Sequence, residues 1–177
     1  MNAIDFSVKY RSCAPTFEYL ISKGLSDIEA HSFIDRYNCI SKGTNFEYGD
    51  EFLNLIANFD LSKVEIGLIT LNDSIQIEGD FYILGQDECD PLFMYKFNHE
   101  ISIVDLSDNE YVIYYCAESG DKFLDAIIVY RGFIAKHAHS DTKLDPGAIK
   151  KKAEECAMIA GSEKYLPFYE YALGCLG

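Results

Sequence analysis

Several short stretches of this 177-residue chain have residue types that could do chemistry. "HAH" sets His137 and His139 two apart. On a strand both imidazoles would face one way and could share a metal ion, whereas on a helix the pair diverges. The pair ends an apolar run beside Lys136, where cationic groups suit the C-terminal end of a helix dipole. No third ligand follows at a metal-binding spacing. Asp87, Glu88 and Asp90 are oxygen donors of the kind calcium takes. An EF-hand loop, however, needs alternating donors, a central Gly and a distal Glu, and Pro91 closes this segment too soon.

Nucleophiles fare no better. Ser119 in "AESGD" lacks the glycine that precedes the serine of G-x-S-x-G, and it reads as a helix cap. Cys39, Cys89 and Cys116 would need a neighbouring base, and no His stands in a fixed relation to any of them. Gly79 and Gly85 bracket a strand without a G-x-G-x-x-G pattern or a P-loop lysine, so they are turn glycines. "IKKKAEE" suits i, i+4 ion pairs on a solvated helix face. The expectation is a protein that is no enzyme and needs neither cofactor nor metal. The Asp87–Asp90 turn stays open between a solvated turn and one that faces a partner.

Charge narrows the partner. The formal net charge is −14. Residues 73–125 hold 2 basic and 13 acidic side chains, whereas residues 131–152 hold 6 basic and 2 acidic ones. Direct nucleic-acid binding is not expected, because phosphate contacts need a basic face. An acidic face attracts a basic polypeptide and speeds the encounter, or else it only keeps the protein in solution. The six cysteines are scattered without a C-x-x-C. No signal peptide opens "MNAIDFSVKYRS" and no apolar run nears 18 residues, so a reducing, cytoplasmic protein without membrane contact is expected.

The elements that must position these residues are legible as a succession of textures. "PTFEYLISKG", "SDIEAHSFIDRY" (with Ser26 and Glu29 at capping-box spacing) and "YGDEFLNLIANF" (with Asp50 or Gly49 near its cap) predict helices over about 14–60. Ile28, Phe33, Ile34 and Tyr37 should share the buried face of the second. Over about 64–116 the runs "VEIGLIT", "SIQIEG", "DFYILG", "LFMYKF", "ISIVDL" and "YVIYYC" alternate with turn clusters, among them "LNDS" and "GQDECDP". Such short connections leave no room for crossover helices, so the sheet should be an antiparallel β-meander of about five or six strands. Phe93, Tyr95 and Phe97 should share one face and Leu92, Met94 and Lys96 the other. One face should meet the helices and the other a second layer or a partner. Residues about 119–174 are helical again, from "DKFLDAIIVY" to "SEKYLPFYEYAL". Helices, sheet, helices make a single α+β domain.

Over residues 77–130 the chain resembles the SUKH superfamily, which holds fungal regulators of the Smi/Knr kind and many bacterial immunity proteins. The likeness is a succession of features: "FYILG" ending at Gly85, the acidic turn with Asp87 and Asp90, then "LFMYKF" and "ISIVDL". A strand then runs into "AES" and the helix "DKFLDAI", with Ala117, Glu118, Ser119, Phe123 and Leu124 at the family's positions. "DPGA" at 145–148 looks like the tail of one immunity branch. The chain has no Trp, which the family often carries in its N-terminal helices. The resemblance implies a protein that binds and silences a cognate toxin domain, a nuclease or other toxin acting on nucleic acid. It equally admits an intracellular adaptor with no toxin partner. On the first reading Asp87, Glu88, Asp90, Asp105, Asp108 and Glu110, in the turns of the meander, meet the basic toxin, with Tyr82, Phe93 and Tyr95 as aromatic anchors.

Overall fold

The computed structural model describes residues 1–138 and 145–174, without the side chains of Asn109, Glu110 and Ala138. His139 and Cys175 therefore lie outside the described residues. Helices α1 (Ala3–Ser12), α2 (Phe17–Ser22), α3 (Asp27–Asp35) and α4 (Glu51–Asn58) come first. A two-stranded ribbon, β1 (Ile40–Ser41) with β2 (Phe59–Asp60), brackets α4. Strands β3 (Glu65–Ile66), β4 (Ile69–Glu78), β5 (Phe81–Asp87), β6 (Asp90–Tyr95), β7 (Ile101–Asp105) and β8 (Asp108–Ala117) follow. They pair in chain order as one six-stranded antiparallel meander. Helices α5 (Gly120–Ala138), α6 (Pro146–Ala160) and α7 (Leu166–Ala172) close the α+β fold, with a 3-10 turn at Glu163–Tyr165.

Local sequence explains most helix starts. Thr16 accepts from the Tyr19 amide at the head of α2, and Ser26 with Glu29 forms the reciprocal capping box of α3. Asp145 caps α6, whose first residue is Pro146. In α3 the buried residue is Ala30; of the expected stripe Tyr37 is buried and Phe33 and Ile34 are half-buried, whereas Ile28 stands 83% exposed. Helix α1 was not expected. Its Ile4, Phe6, Val8 and Tyr10 alternate with polar residues as a strand would, yet only Phe6 and Tyr10 turn inward.

Two turns also move. "VEIGLIT" is not one strand but the β3–β4 hairpin, folded at Gly67 with φ +67°. "LNDS" is not a turn; it lies inside β4, where the pairing with β5 slips between Leu71 and Gln76. The close approach of the two strands there needs Gly85, whose added Cβ would sit 2.2 Å from the Thr70 carbonyl oxygen.

The core lies between the helices and one face of the sheet. Leu84, Leu92, Met94, Ile101, Ile103 and Cys116 meet Phe52, Phe123, Leu124, Ile127, Phe168 and Tyr169 there, all essentially inaccessible. Each such aliphatic or aromatic side chain stabilises the fold by about 1.5–3 kcal/mol. The opposite face carries Phe93, Ser102 and Val104, buried yet outside that core. On this face Phe81 stacks on Phe93 at 4.9 Å and meets Tyr95 edge-on at 4.7 Å.

Candidate functional site

The meander's alternation of direction gathers three of its hairpin turns at one end of the sheet. These are β3–β4 at Gly67–Leu68, β5–β6 at Glu88–Cys89 and β7–β8 at Leu106–Ser107. At the base of the second hairpin Asp87 pairs with Asp90, and at the base of the third Asp105 pairs with Asp108. Like charges directly opposite on neighbouring strands repel, and this end of the sheet contains two such pairs. The Leu106 amide donates to Asp90 Oδ1 at 3.0 Å, which ties the two hairpins side by side. Asp105 accepts the Ser107 amide at 2.7 Å and its hydroxyl at 2.5 Å. Those bonds hold its carboxyl below the usual carboxylate range. Glu88 sits at φ +54°, a left-handed conformation that the tight turn imposes on a residue other than glycine. Among the described residues no ion pair neutralises Glu88, Asp90 or Asp105.

Apolar side chains stand among these acids. Leu68 and Leu106 project from their turns at 59% and 62% exposure, and Tyr111 on β8 is equally open at 62%. Sequence reasoning missed all three as surface residues: Leu68 and Leu106 are single apolar residues in turns with no periodicity to mark them, and Tyr111 opens the run "YVIYYC", whose pattern does not say which face stays open. Of the residues expected at the surface, Glu88 and Asp108 are exposed, and Asp90 and Asp105 are half-buried. Glu110 belongs to β8, and its side chain is one of those outside the described residues.

Asp87 behaves differently. Only 6% exposed, it points inward, and its Oδ1 has no hydrogen-bond partner among the described residues. Burial pushes its carboxyl up, partly opposed by a hydrogen bond from the Tyr171 hydroxyl of α7. The Tyr171 phenol is in turn pushed up to about 12, first by burial and then by Asp87.

The aromatic residues separate onto two faces. Tyr82 lies opposite Met94 and packs toward the helices with the Lys96 ammonium over its ring, while Phe93 is 1% exposed on the far face. Tyr95 alone of the three is half-open on that far face, near the exposed Tyr115, whose ring carries the Lys164 ammonium at 3.7 Å.

The chemistry-bearing residues do not converge. His137 bonds the Phe133 carbonyl through Nδ1 at 2.8 Å and lies against the Phe133 ring. The Ser119 hydroxyl donates to Asp121, and the first amide of α5 goes instead to Asp50. Burial raises the Cys116 thiol well above its usual value and Cys39 to about 12, which leaves both as thiols. Among the described residues no group of three His, Cys, Asp or Glu side chains is placed to hold a metal ion. Nor is any helix among them long and apolar enough to cross a membrane.

No protein-family model, curated protein or solved structure matches this chain.

Proposed function

We propose that this chain is an immunity protein of the SUKH kind, acting in the cytoplasm, which binds a basic toxin domain and blocks its active site or nucleic-acid groove. The observation that carries this reading is the pair of opposed aspartates at the base of two adjoining hairpins, Asp87 with Asp90 and Asp105 with Asp108. Placing four carboxylates at one end gathers negative charge there, which attracts a cationic partner. The likeness over residues 77–130 supplies the class of partner. Binding requires no bond-making by this chain. Long-range attraction speeds the encounter, and Leu68, Leu106 and Tyr111 supply apolar contact inside the charged surface.

The test is co-expression with the basic C-terminal toxin domain of a neighbouring reading frame. Restored growth and a complex that survives purification are expected. A stable partner that is neutral or acidic, or a complex without protection, sinks the proposal; the second outcome would favour an adaptor role.

A further inference from the structure

Beside the acidic end, a pocket of about 380 Å³ opens beneath the β3–β4 turn. Ile66, Leu68, Tyr130, Phe168 and Tyr171 form its apolar and aromatic walls, and Asp87 is its one charged lining residue among the described residues. Tyr130 donates its hydroxyl to the Ala172 carbonyl at 3.3 Å, so that wall is already satisfied. The Asp87 carboxylate is not, since its buried Oδ1 lacks a partner among the described residues. A buried acceptor left unmade is expensive, and an ionised one more so. Aromatic walls around one carboxylate suit a side chain with apolar methylenes and a cationic tip.

We infer that this pocket receives a single arginine or lysine side chain of the protein partner, which places its cationic group on Asp87. The inference rests on the binding reading above and deepens it. The exposed carboxylates of Glu88 and Asp108, with the half-buried ones of Asp90 and Asp105, attract the partner, and the pocket selects one residue of it. Arginine is the better fit, because its planar guanidinium can stack on Tyr171 or Phe168 while donating to the carboxylate.

The test is an NMR titration of the whole chain with Nα-acetyl-arginine amide, with the citrulline analogue as a neutral isostere. Saturable shifts at the amides of Gly67, Leu68 and Ala172 are expected with the arginine probe and none with citrulline. Asp87→Asn should weaken binding by about tenfold or more, the loss of one charged hydrogen bond. Equal binding of the two probes to the wild-type chain overturns the inference, even if the variant fails to fold. So does the absence of any shift. Shifts confined to Glu88, Leu106 and Ser107 that vanish in salt also overturn the pocket while leaving the docking surface intact. The converse, a probe that enters the pocket while the basic toxin domain fails to bind, would support the pocket and overturn the docking surface.

Discussion

Two aspartates in this protein are equally buried, at 6% exposure each, and they are used in opposite ways. Asp50 sits where α4 and α5 begin. Its Oδ1 accepts the Phe52 and Leu53 amides at 2.8 and 3.3 Å, its Oδ2 accepts the Gly120 amide at 2.9 Å, and the His99 imidazole lies 3.4 Å away. One carboxylate thus caps two helices, at the positive ends of both dipoles. Gly120 is required there, since a Cβ would fall 1.9 Å from Asp50 Oδ1. Asp87 has one tyrosine hydroxyl and an oxygen without a partner among the described residues. The contrast teaches that burial of a carboxylate alone says little. Saturated donors around it mark a structural joint, and an unsaturated oxygen beside a pocket marks a place for a ligand.

The hardest test of that contrast removes the joint. Asp50→Ala strands two amides of α4 and one of α5 in the interior, and should cost at least about 3 kcal/mol. For a chain of this size the melting temperature should fall by roughly 6–12 °C, read by circular dichroism. Gly120→Ala should act in the same direction by displacing the carboxylate. A loss under about 1 kcal/mol for Asp50→Ala would mean that the cap is not what joins the helices.

How much of this was legible beforehand depended on the range of the interaction. The capping box of α3, the order of the strands in the meander and the two faces of β6 follow from neighbours a few residues apart, and all are present. The Asp50 cap of α4 is equally local. Its bond to Gly120, 70 residues on, has no sequence signal, so Ser119 stood in for it as the expected cap of α5. Helix α1 was hidden because its outward Ile4 and Val8 disguise a helical period as an alternating one. At the candidate site, the acids were visible as composition. Their convergence follows from hairpin direction, and the inward turn of Asp87 brings it to Tyr171, 84 residues away, which no local pattern announces.

A smaller and opposite effect is expected at Asp87. Asparagine keeps an acceptor for Tyr171 and removes the buried charge, so Asp87→Asn should raise stability by about 1 kcal/mol at neutral pH, an increase of roughly 2–4 °C. The sign follows from the raised carboxyl. Below the ordinary aspartate value both folded and unfolded chains hold the proton, and the charge costs nothing. As pH rises through the raised folded value, the wild type loses stability that the variant keeps. Paired melts from acid to neutral pH should therefore show the difference open within that window. A variant that is less stable than wild type at neutral pH would place Asp87 with Asp50, as a structural residue.

The exposed acids should change stability least and association most. Glu88 and Asp108 lie open at neighbouring turns. Surface substitutions of this kind usually stay within about 0.5 kcal/mol. Glu88→Lys with Asp108→Lys should therefore melt within a degree or two of wild type. The same pair should slow association with a basic partner by about tenfold at low salt, because steering depends on the summed field at this end of the sheet. Dissociation should change less, since the apolar contacts of Leu106 and Tyr111 remain. Adding salt should erase most of the difference in association rate by screening both proteins alike. Stopped-flow association across a salt series separates the outcomes. A rate that is unchanged at low salt would mean that the partner meets another surface. A rate that falls equally at all salt concentrations would mean that the lysines obstruct a short-range contact instead of weakening a long-range one.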